Sequence, residues 1–480
     1  MEKPFDFLLK NGTLIDGSGS IPVLADVAIL GEVIAGVGQL EGASANEVID
    51  ISGKVICPGF IDSHTHDDHA VIKSPQCESK ITQGVTTVIV GNCGLSLAPV
   101  RLDREPPDPL NLLGDQKDFS FPDFGSYVER IDEVRPAVNV AALVGHTSLR
   151  VNHMASLDRT ATEAETAGMR AELRSCLEQG AIGLSSGLAY GTAIEASTEE
   201  VIELALEVKE SGGIYATHLR NEFDQVIEAM EESVEIGHAA DIPVVISHLK
   251  CAGPDNWGRS QDLLDFIDHS PYRDRLHMDC YPYAAGSSTL DLKQVDERVK
   301  ILITWSDQHP ELCPVYLHEL AAQWGISQLE AAKRLQPAGA VYFSISEEDM
   351  LKIISHPKTM IGSDGLPNDP HPHPRLWGTF PRVLAEISRE KKLISLTEAV
   401  RKMTGLPAAN FRLSQRGLVQ CGYFADLVIF DEQDVTDTST FENPVAAADG
   451  IEMVFVNGAL ACADKALTGV RRGRYVGKQP

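Results

Sequence analysis

Two histidines placed two residues apart give this sequence its first opportunity for metal chemistry. His64 and His66 lie in the stretch GFIDSHTHDD at 59–68, which begins in an apolar run. Side chains i and i+2 of an extended strand point the same way, so both imidazoles can reach one metal ion from one strand end. Neutral imidazole nitrogen is a frequent ligand of Zn²⁺. Because such spacing also arises by chance on ordinary strands, the interpretation depends on further ligands elsewhere in the chain.

Residues of the same chemical kind follow later apolar runs. Each taken alone is compatible with a packing or surface role, but all come directly after a run that could be a buried strand: Cys93, His146, His218, His248 and Asp364. Thiolate, imidazole and carboxylate are the groups that bind Zn²⁺ in proteins. Their repeated placement therefore predicts one shared site.

The elements that must position these residues are eight short apolar runs, which alternate with amphipathic segments of helical period. This pattern is typical of a parallel sheet with covering helices. The predicted strands are 54–61, 86–90, 139–144, 181–184, 214–217, 244–247, 276–279 and 359–362. Eight β/α units favour an α/β fold with a TIM-like (β/α)8 barrel, and a doubly wound open sheet is the alternative. In such barrels catalytic side chains lie at the carboxyl ends of the strands, where the candidate ligands fall.

Three other regions complete the predicted architecture. Residues 284–343 are too long for a single connection, so we expect them to form an insertion over the barrel mouth. Residues 1–55 and 418–480 both alternate short β-rich runs with turn signals. We expect these two chain ends to pair into one small β-sandwich, while 56–417 forms the catalytic barrel.

The composition excludes several classes of function. The chain has 480 residues and a formal net charge of −28, which argues against nucleic-acid binding. The sequence contains no run of about 18 apolar residues that would predict a membrane span. Glu2, Lys3 and Asp6 occupy the place of a signal peptide's apolar core, so a cytoplasmic location is expected. The composition leaves the oligomeric state open.

Five motifs carry a resemblance to a known family. They are PGFIDSHTHDD at 58–68, GVTTVIVGNCG at 84–94, YATHLRNE at 215–222, VVISHLK at 244–250 and GSDGLPNDPHPHPRLWGTF at 362–380. With them the chain resembles the amidohydrolase superfamily along nearly its whole length, and most of all its N-acyl-D-amino-acid deacylase group. Many amidohydrolases bridge two metals with a carboxylated lysine. This sequence has Cys93 in the second motif instead, as that group does.

The resemblance implies a zinc-dependent hydrolysis of the amide bond of N-acyl-D-amino acids, which are small-molecule substrates. It implies that the metal ligands are His64, His66, Cys93, His218, His248 and Asp364, with one tight Zn²⁺ site and room for a second, weaker one. Asp364 is also the implied catalytic acid/base. The chemistry agrees, since a carboxylate beside the metal can take a proton from water and pass it to the leaving nitrogen.

The resemblance also implies which residues bind the substrate. Lys250, Tyr281 and Arg375 are expected to hold the α-carboxylate, for which a point charge, a hydroxyl donor and a guanidinium fork are suitable. Further contacts are expected from Tyr190, Ser287 and Tyr342. Selectivity for the D configuration follows from the resemblance alone.

The side chain of the amino acid leaves two possibilities open. An apolar wall made by Ala189, Tyr190, Tyr342 and Ile345 would favour hydrophobic residues, whereas Lys293 and Arg298 would favour D-glutamate or D-aspartate. Two other classes are also considered. One is an amidohydrolase that acts on cyclic amides, against which Cys93 argues, and the other is a non-catalytic relative on the same fold.

Overall fold

The structure is a computed structural model that describes residues 4–477. Glu2 and Lys3, named above for their charge, lie outside the described residues. The strands in chain order are β1 (Phe5–Leu14), β2 (Val23–Leu30), β3 (Val33–Gly38), β4 (Ala45–Asp50), β5 (Val55–Pro58), β6 (Phe60–Asp62), β7 (Val85–Val90), β8 (Val100–Arg101), β9 (Ser120–Phe121), β10 (Asn139–Ala142), β11 (Val144–Gly145), β12 (Gly183–Gly187), β13 (Ile214–His218), β14 (Val244–Ile246), β15 (Leu276–Cys280), β16 (Gly286–Thr289), β17 (Ile301–Ser306), β18 (Val315–Tyr316), β19 (Ala338–Tyr342), β20 (Thr359–Ile361), β21 (Leu427–Phe430), β22 (Ile451–Val456), β23 (Ala459–Ala463) and β24 (Ala466–Leu467).

The helices begin where the sequence offers capping side chains. Thr162 and Glu165 form a capping box at the start of α5, and the Ser197 hydroxyl accepts a hydrogen bond from a backbone N–H of α6. The helices are α1 (Ala70–Lys73), α2 (Glu78–Ile81), α3 (Phe124–Val134), α4 (His146–His153), α5 (Glu163–Glu178), α6 (Thr198–Ser211), α7 (Val226–Ala240), α8 (Ser260–His269), α9 (Leu317–Trp324), α10 (Gln328–Leu335), α11 (Glu347–Ser355), α12 (Arg375–Arg382), α13 (Leu396–Met403) and α14 (Gly405–Asn410), and a π-helix, Val383–Glu390, continues α12. Across residues 4–477, none of the helices combines the length and apolar character that crossing a membrane requires.

Eight parallel strands form a closed barrel. Strands β6, β7 and β10 are neighbours, and β11, β12, β13, β14, β15 and β20 follow in that order. Strands β10 and β11 act as one interrupted strand, since β10 pairs with β7 and β11 with β12. The circle closes where Asp364 N donates to His64 O at 2.7 Å and Ser63 N donates to Ile361 O at 3.3 Å. The predicted (β/α)8 barrel is therefore confirmed, and the open-sheet alternative is wrong.

One predicted strand is in fact two. The segment 54–61 divides into β5, which pairs with β1 and β21 of the terminal sheet, and β6, which belongs to the barrel. Gly59 separates them, and a Cβ atom added there would lie 2.2 Å from Thr86 Oγ1. The chain therefore leaves the terminal sheet at a point where only glycine fits.

Both chain ends contribute to one nine-stranded sheet. Its order is β24-β23-β22-β21-β5-β1-β2-β3, with β4 also paired to β1. Two contacts between distant parts of the sheet show that it curls on itself. The Phe7 and Phe455 rings lie 5.2 Å apart, and Ile34 N donates to Tyr423 O at 2.8 Å. Since β5 lies in this sheet, we propose that the terminal domain extends to about residue 58 rather than 55.

A small antiparallel sheet with two helices interrupts the barrel between β15 and β20. Its strand order is β16-β19-β17-β18, and α9 and α10 cover it. It has a core of its own, which includes Ile301, Leu317 and Leu335. This unit falls within the segment 284–343, for which an insertion was predicted.

Candidate metal centre and substrate cavity

The barrel brings six predicted ligands together at the carboxyl ends of its strands. His64 and His66 follow β6, Cys93 follows β7, His218 ends β13, His248 follows β14 and Asp364 follows β20. They form two clusters, in each of which the ligand atoms lie within 4.8 Å of one another: His64, His66, Cys93 and Asp364 in the first, and Cys93, His218 and His248 in the second. Cys93 belongs to both.

Short distances centre on the thiol. Cys93 Sγ lies 3.3 Å from His64 Nε2 and 3.4 Å from His248 Nε2. Asp364 Oδ1 lies 3.5 Å from His64 Nε2 and 3.4 Å from His66 Nε2. The Nε2 atoms thus point inward towards the sulfur and the carboxylate, which is the arrangement that two adjacent metal ions with a shared thiolate need.

The backbone is strained at three of these residues. Cys93, His248 and Asp364 have φ angles of 55°, 35° and 48°, in the left-handed region that non-glycine residues seldom enter. Each such conformation costs on the order of 1–3 kcal/mol. The strain occurs just after three separate barrel strands, β7, β14 and β20, at residues that belong to the metal-binding clusters.

The anionic ligands are ionised. Burial alone would raise the pKa of the Cys93 thiol, but the neighbouring His64 and His248 lower that pKa well below its usual value. Burial also acts to raise the pKa of Asp364, while Arg375 and His248 lower it well below the ordinary range. The centre therefore offers a thiolate and a carboxylate in a buried place.

The negative charge of these ligands raises the pKa of the neighbouring imidazoles. Burial acts to lower the pKa of His66, yet hydrogen bonds to Asp364 and Cys93 raise it to about 9. In His248, burial and Lys250 act to lower the pKa, but Glu222 and Cys93 raise it to about 9. A positive charge is thus favoured among these ligands, and a divalent cation supplies it without protonating the imidazoles. The donor set of thiolate, imidazole and carboxylate fits Zn²⁺.

Two carboxylates behind the ligands orient the imidazoles. Asp279 Oδ2 lies 3.3 Å from His64 Nδ1, and Glu222 Oε1 lies 3.0 Å from His248 Nδ1. Lys250 Nζ also lies 2.8 Å from His248 Nδ1. If that nitrogen accepted from the lysine, Nε2 would carry the proton and could not bind a metal, so we assign the Nδ1 proton to the bond with Glu222.

Sequence reasoning missed both carboxylates, although each had a signal. Asp279 lies at the end of a predicted strand, like the ligands themselves, and Glu222 stands four residues after His218. Tyr190 plays a comparable part, because its hydroxyl lies 3.2 Å from His218 Nδ1. His146, singled out from its position after the third strand, instead lies 2.9 Å from Glu200 Oε1 and is a member of neither cluster.

A cavity of about 610 Å³ opens over the metal ligands. Its lining includes His66, His218, His248 and Asp364 on the floor and residues 286–291 of the insertion on one wall. Predicted substrate-binding residues also line it: Lys250, Tyr281, Tyr190, Ser287 and Tyr342. The insertion therefore helps to shape the space in which a substrate would lie.

Several buried hydrogen-bonding groups without partners in the described part of the chain lie close to Asp364 and Tyr281. Arg375 is 1% exposed, and its guanidinium lies 4.6 Å from the centre of the Tyr281 ring. Among the described residues, Arg375 Nε and Nη1, Tyr281 OH and Ser287 Oγ are buried without a hydrogen-bond partner. Arg375 Nη1 does lie 2.9 Å from Asp364 Oδ2, but without hydrogen-bond alignment. Buried donors are normally satisfied, so this group is suited to an anionic ligand.

Two of the predicted carboxylate-binding residues are themselves engaged. Lys250 Nζ lies 2.5 Å from Glu222 Oε1, and Arg375 Nη2 donates to Ser287 O at 3.2 Å. The Tyr342 hydroxyl accepts from Asp291 N at 2.8 Å and donates to Thr289 O at 3.0 Å, so this hydroxyl is already engaged within the insertion.

Most of the residues expected to contact the side chain of the substrate line the cavity, but one does not. Ala189, Ile345 and Lys293 line the cavity. Arg298 does not, because its guanidinium is bound by Asp255 at 2.7 Å and by Asp296 at 2.7 Å on an exposed surface.

Comparison with known proteins identifies the family of this chain. The model of the amidohydrolase family matches residues 47–303 and 277–461, which together cover most of the chain. The chain belongs to the amidohydrolase family. The resemblance inferred from the motifs is confirmed.

Three relatives define its neighbourhood within that family. The chain is 47% identical over 476 residues to a D-aminoacylase of Alcaligenes xylosoxydans, covering 99% of this chain and 98% of the relative. It is equally 47% identical over 454 residues to an N-acyl-D-aspartate deacylase of the same organism, covering 94% and 91%. A crystal structure of N-acyl-D-glutamate deacylase from Bordetella bronchiseptica, complexed with zinc and a phosphonate inhibitor, matches with a TM-score of 0.94 and 42% identity over 99% of this chain and 100% of that one.

Identity alone does not separate the substrates of these relatives. This amidohydrolase is as similar to a D-aminoacylase as to an N-acyl-D-aspartate deacylase. Side-chain preference must therefore be argued from the residues that line the cavity.

Proposed function

We propose that the chain is a zinc-dependent hydrolase that cleaves the amide bond of N-acyl-D-amino acids and releases a carboxylate and the free D-amino acid. The observation that carries this proposal is the group of buried, unpartnered donors of Arg375 and Tyr281 beside two clusters of metal-binding side chains. Anion binding next to a hydrolytic centre suits an acylated amino acid. The D configuration is taken from the three relatives, each of which acts on such compounds by name.

The two clusters divide the work of holding metal. We assign the tight zinc site to Cys93, His218 and His248, and a weaker second site to His64, His66 and Asp364 with the shared Cys93. Zinc supplies a positive charge that polarises an amide carbonyl and makes water more acidic. Asp279 and Glu222 can each accept the Nδ1 proton of a ligand imidazole, which leaves Nε2 of His64 and of His248 as the atom that would bind the metal.

Asp364 moves the proton. Its carboxylate is ionised, because Arg375 and His248 outweigh the effect of burial on its pKa, and it lies on the cavity floor. It can therefore accept a proton from the attacking water at a carboxylate oxygen. Once protonated, the same oxygen can donate to the amide nitrogen, which must gain a proton before it leaves.

The substrate is held by its α-carboxylate. Arg375 offers two unused donors, Tyr281 a free hydroxyl and Lys250 an ammonium group shared with Glu222. These three groups place the carboxylate on one side of the metal ligands, which fixes where the neighbouring amide must lie. Ser287 Oγ, also without a partner among the described residues, extends this donor group along β16.

The lining favours neutral side chains over acidic ones. Arg298 is bound to Asp255 and Asp296 away from the cavity, which leaves Lys293 as the one candidate cation of the pair. The lining also holds Arg220, but that cation is paired with Glu232, whereas three carboxylates, Asp108, Asp224 and Asp291, share the lining with Lys293. Such an excess of negative charge repels a second carboxylate on the substrate.

A hydrolysis screen with paired N-acetyl-D- and N-acetyl-L-amino acids tests the proposal. We expect release of D-leucine, D-methionine and D-phenylalanine, and much slower release of D-glutamate and of every L-amino acid. Preference for N-acetyl-D-glutamate would refute the assignment of side-chain class but not of reaction. Zinc-loaded protein that hydrolyses none of these compounds would favour the cyclic-amide or non-catalytic alternatives, which a screen with hydantoins would separate.

A further inference from the structure

A buried lysine lies directly beneath the first ligand cluster. Lys80 of α2 is 1% exposed, although nothing in its sequence neighbourhood suggests an interior position. Its Nζ lies 2.8 Å from Asp62 Oδ2, 3.0 Å from Asp67 Oδ2 and 3.0 Å from Ser363 Oγ. A buried charge normally persists only when it is paired and hydrogen-bonded, and this ammonium meets both conditions.

The partners of Lys80 belong to the two strand ends that close the barrel. Asp62 ends β6, two residues before His64, and Ser363 follows β20, one residue before Asp364. Asp62 Oδ1 accepts from Ser363 N at 2.8 Å and from His64 N at 3.3 Å. Lys80 therefore binds both sides of the seam across which His64 and Asp364 face each other.

Three backbone hydrogen bonds cross this seam. Ser63 N donates to Ile361 O at 3.3 Å, Asp364 N to His64 O at 2.7 Å and His66 N to Gly365 O at 3.1 Å, and β6 and β20 are only three residues long each. Ser363 Oγ, which accepts from Lys80 Nζ, also accepts from Gly365 N at 3.1 Å, so the lysine is linked to the turn that carries Asp364.

We propose that Lys80 is a positioning residue, which through Asp62 and Ser363 fixes the spacing between the His64–His66 pair and Asp364 and so assembles the first ligand cluster. The consequence for catalysis rests on the proposed function, because Asp364 is the proton carrier there. None of these Lys80 partners belongs to the second cluster, whose histidines stand on β13 and after β14, on the other side of the barrel.

The chain provides a matched control. Lys402 of α13 is 0% exposed, and its Nζ donates to Thr359 O at 3.1 Å and to His356 O. Thr359 begins β20, at the end opposite Asp364. Lys80→Met and Lys402→Met therefore both remove the amino group of a buried lysine close to the same strand, but only the first touches the seam.

Titration of metal-free protein with Zn²⁺ against a chromophoric chelator measures both sites without requiring turnover. We expect Lys80→Met to keep one tightly bound zinc per chain and to bind the second ion about 10- to 100-fold more weakly, the usual effect of losing an outer hydrogen-bonding partner. With N-acetyl-D-leucine, kcat should fall by a similar factor while KM changes little, because the α-carboxylate group is untouched. Lys402→Met at neutral pH should bind both ions as the wild type does.

Two results would overturn the proposal. The first is a Zn²⁺ affinity of the second site in Lys80→Met that equals the affinity in the wild type. The second is an equal loss of this affinity in Lys80→Met and Lys402→Met, which would indicate a merely structural effect. If Lys80→Met does not fold, as judged by circular dichroism, Ser363→Ala removes one bond of the network while keeping the buried ion pair, and it should weaken the second site in the same direction. A wild type without hydrolytic activity would refute the proposed function and leave the zinc titration decisive for Lys80.

Discussion

Replacement of Arg375 by alanine should impair catalysis in a way that depends on the substrate's carboxylate. Arg375 is 1% exposed, and its Nε and Nη1 atoms have no hydrogen-bond partner within residues 4–477. A substrate carboxylate that met these donors would form a buried, charge-assisted pair. The same guanidinium lies 2.9 Å from Asp364 Oδ2 and lowers the pKa of that carboxyl, so it also affects the proposed proton carrier.

The expected loss follows from breaking one side of such a pair. Truncation of a buried charge partner typically costs about 2–5 kcal/mol, and each factor of ten in rate corresponds to about 1.36 kcal/mol. Arg375→Ala should therefore lower kcat/KM for N-acetyl-D-leucine by roughly 30- to 5,000-fold. Arg375→Lys keeps the charge but not the planar fork, so it should recover only part of this loss.

A second substrate separates the two roles of Arg375, which are binding of the substrate carboxylate and its effect on Asp364. N-acetyl-D-leucinamide presents the same scissile amide and side chain without the carboxylate charge. In the wild type, kcat/KM should be much higher for the acid than for the amide, and in Arg375→Ala the two values should approach each other. Arg382→Ala is the matched control, because Arg382 ends the same helix but stacks on Tyr283 at 4.7 Å and pairs with Glu386 and Asp437 rather than with Tyr281 and Asp364.

The ratio between substrates decides the interpretation. If Arg375→Ala lowered kcat/KM equally for the acid and the amide, the guanidinium would act only through Asp364, and the assignment of the α-carboxylate site would be wrong. If Arg382→Ala lowered the ratio of kcat/KM for the acid to kcat/KM for the amide as much as Arg375→Ala did, the effect would come from helix α12 as a whole rather than from the contact of Arg375 with the carboxylate.

Three further substitutions test other parts of the structure. Cys93→Ala removes the ligand shared by both clusters, so zinc content by mass spectrometry and activity should fall together, and full activity in metal-free Cys93→Ala would contradict the assignment. Asp364→Asn should keep the fold and the tight zinc but lower kcat by about 10²- to 10⁴-fold, the usual contribution of general acid–base help, whereas a rate near that of the wild type would leave Asp364 only a structural role. Burial lowers the pKa of Lys402 to about 7 from 10.5. Between these values the unfolded state binds more protons than the folded state, so the free energy of unfolding should rise with pH by up to about 3 kcal/mol between about pH 7 and 9.5. Urea unfolding at several pH values should show a smaller rise in the free energy of unfolding for Lys402→Met than for the wild type. The same rise in both proteins would mean that Lys402 is charged in the fold.

The strand-end ligands could be predicted because their positions depend on local pattern. Each of Cys93, His248 and Asp364 follows an apolar run, and parallel strands bring their carboxyl ends to one side of the barrel. The order of the strands then places the ligands near one another without any knowledge of side-chain packing. The barrel and its insertion could be predicted for the same reason.

The long charged side chains could not be placed in this way. Lys80 and Arg375 resemble surface residues in the sequence, because Lys and Arg are mostly exposed in proteins. Their burial depends on partners that are distant in the chain, such as Ser363 for Lys80 and Tyr281 for Arg375. The split of 54–61 into two strands also depends on a distant contact, the approach of Thr86 to Gly59.

Glu222 shows how the metal site and the substrate site are joined. One carboxylate oxygen lies 3.0 Å from His248 Nδ1 and 2.5 Å from Lys250 Nζ, and burial, which acts to raise the pKa of Glu222, is outweighed by His218 and Lys250 so that the group stays ionised. If the substrate carboxylate binds Lys250 as proposed, it changes the charge balance around Glu222, and hence the donor strength of His248. Because binding free energies are reciprocal, zinc and substrate must then affect each other's affinity by the same factor. The short separation of Glu222 from His218, and of Lys250 from His248, builds this coupling into two motifs of the sequence.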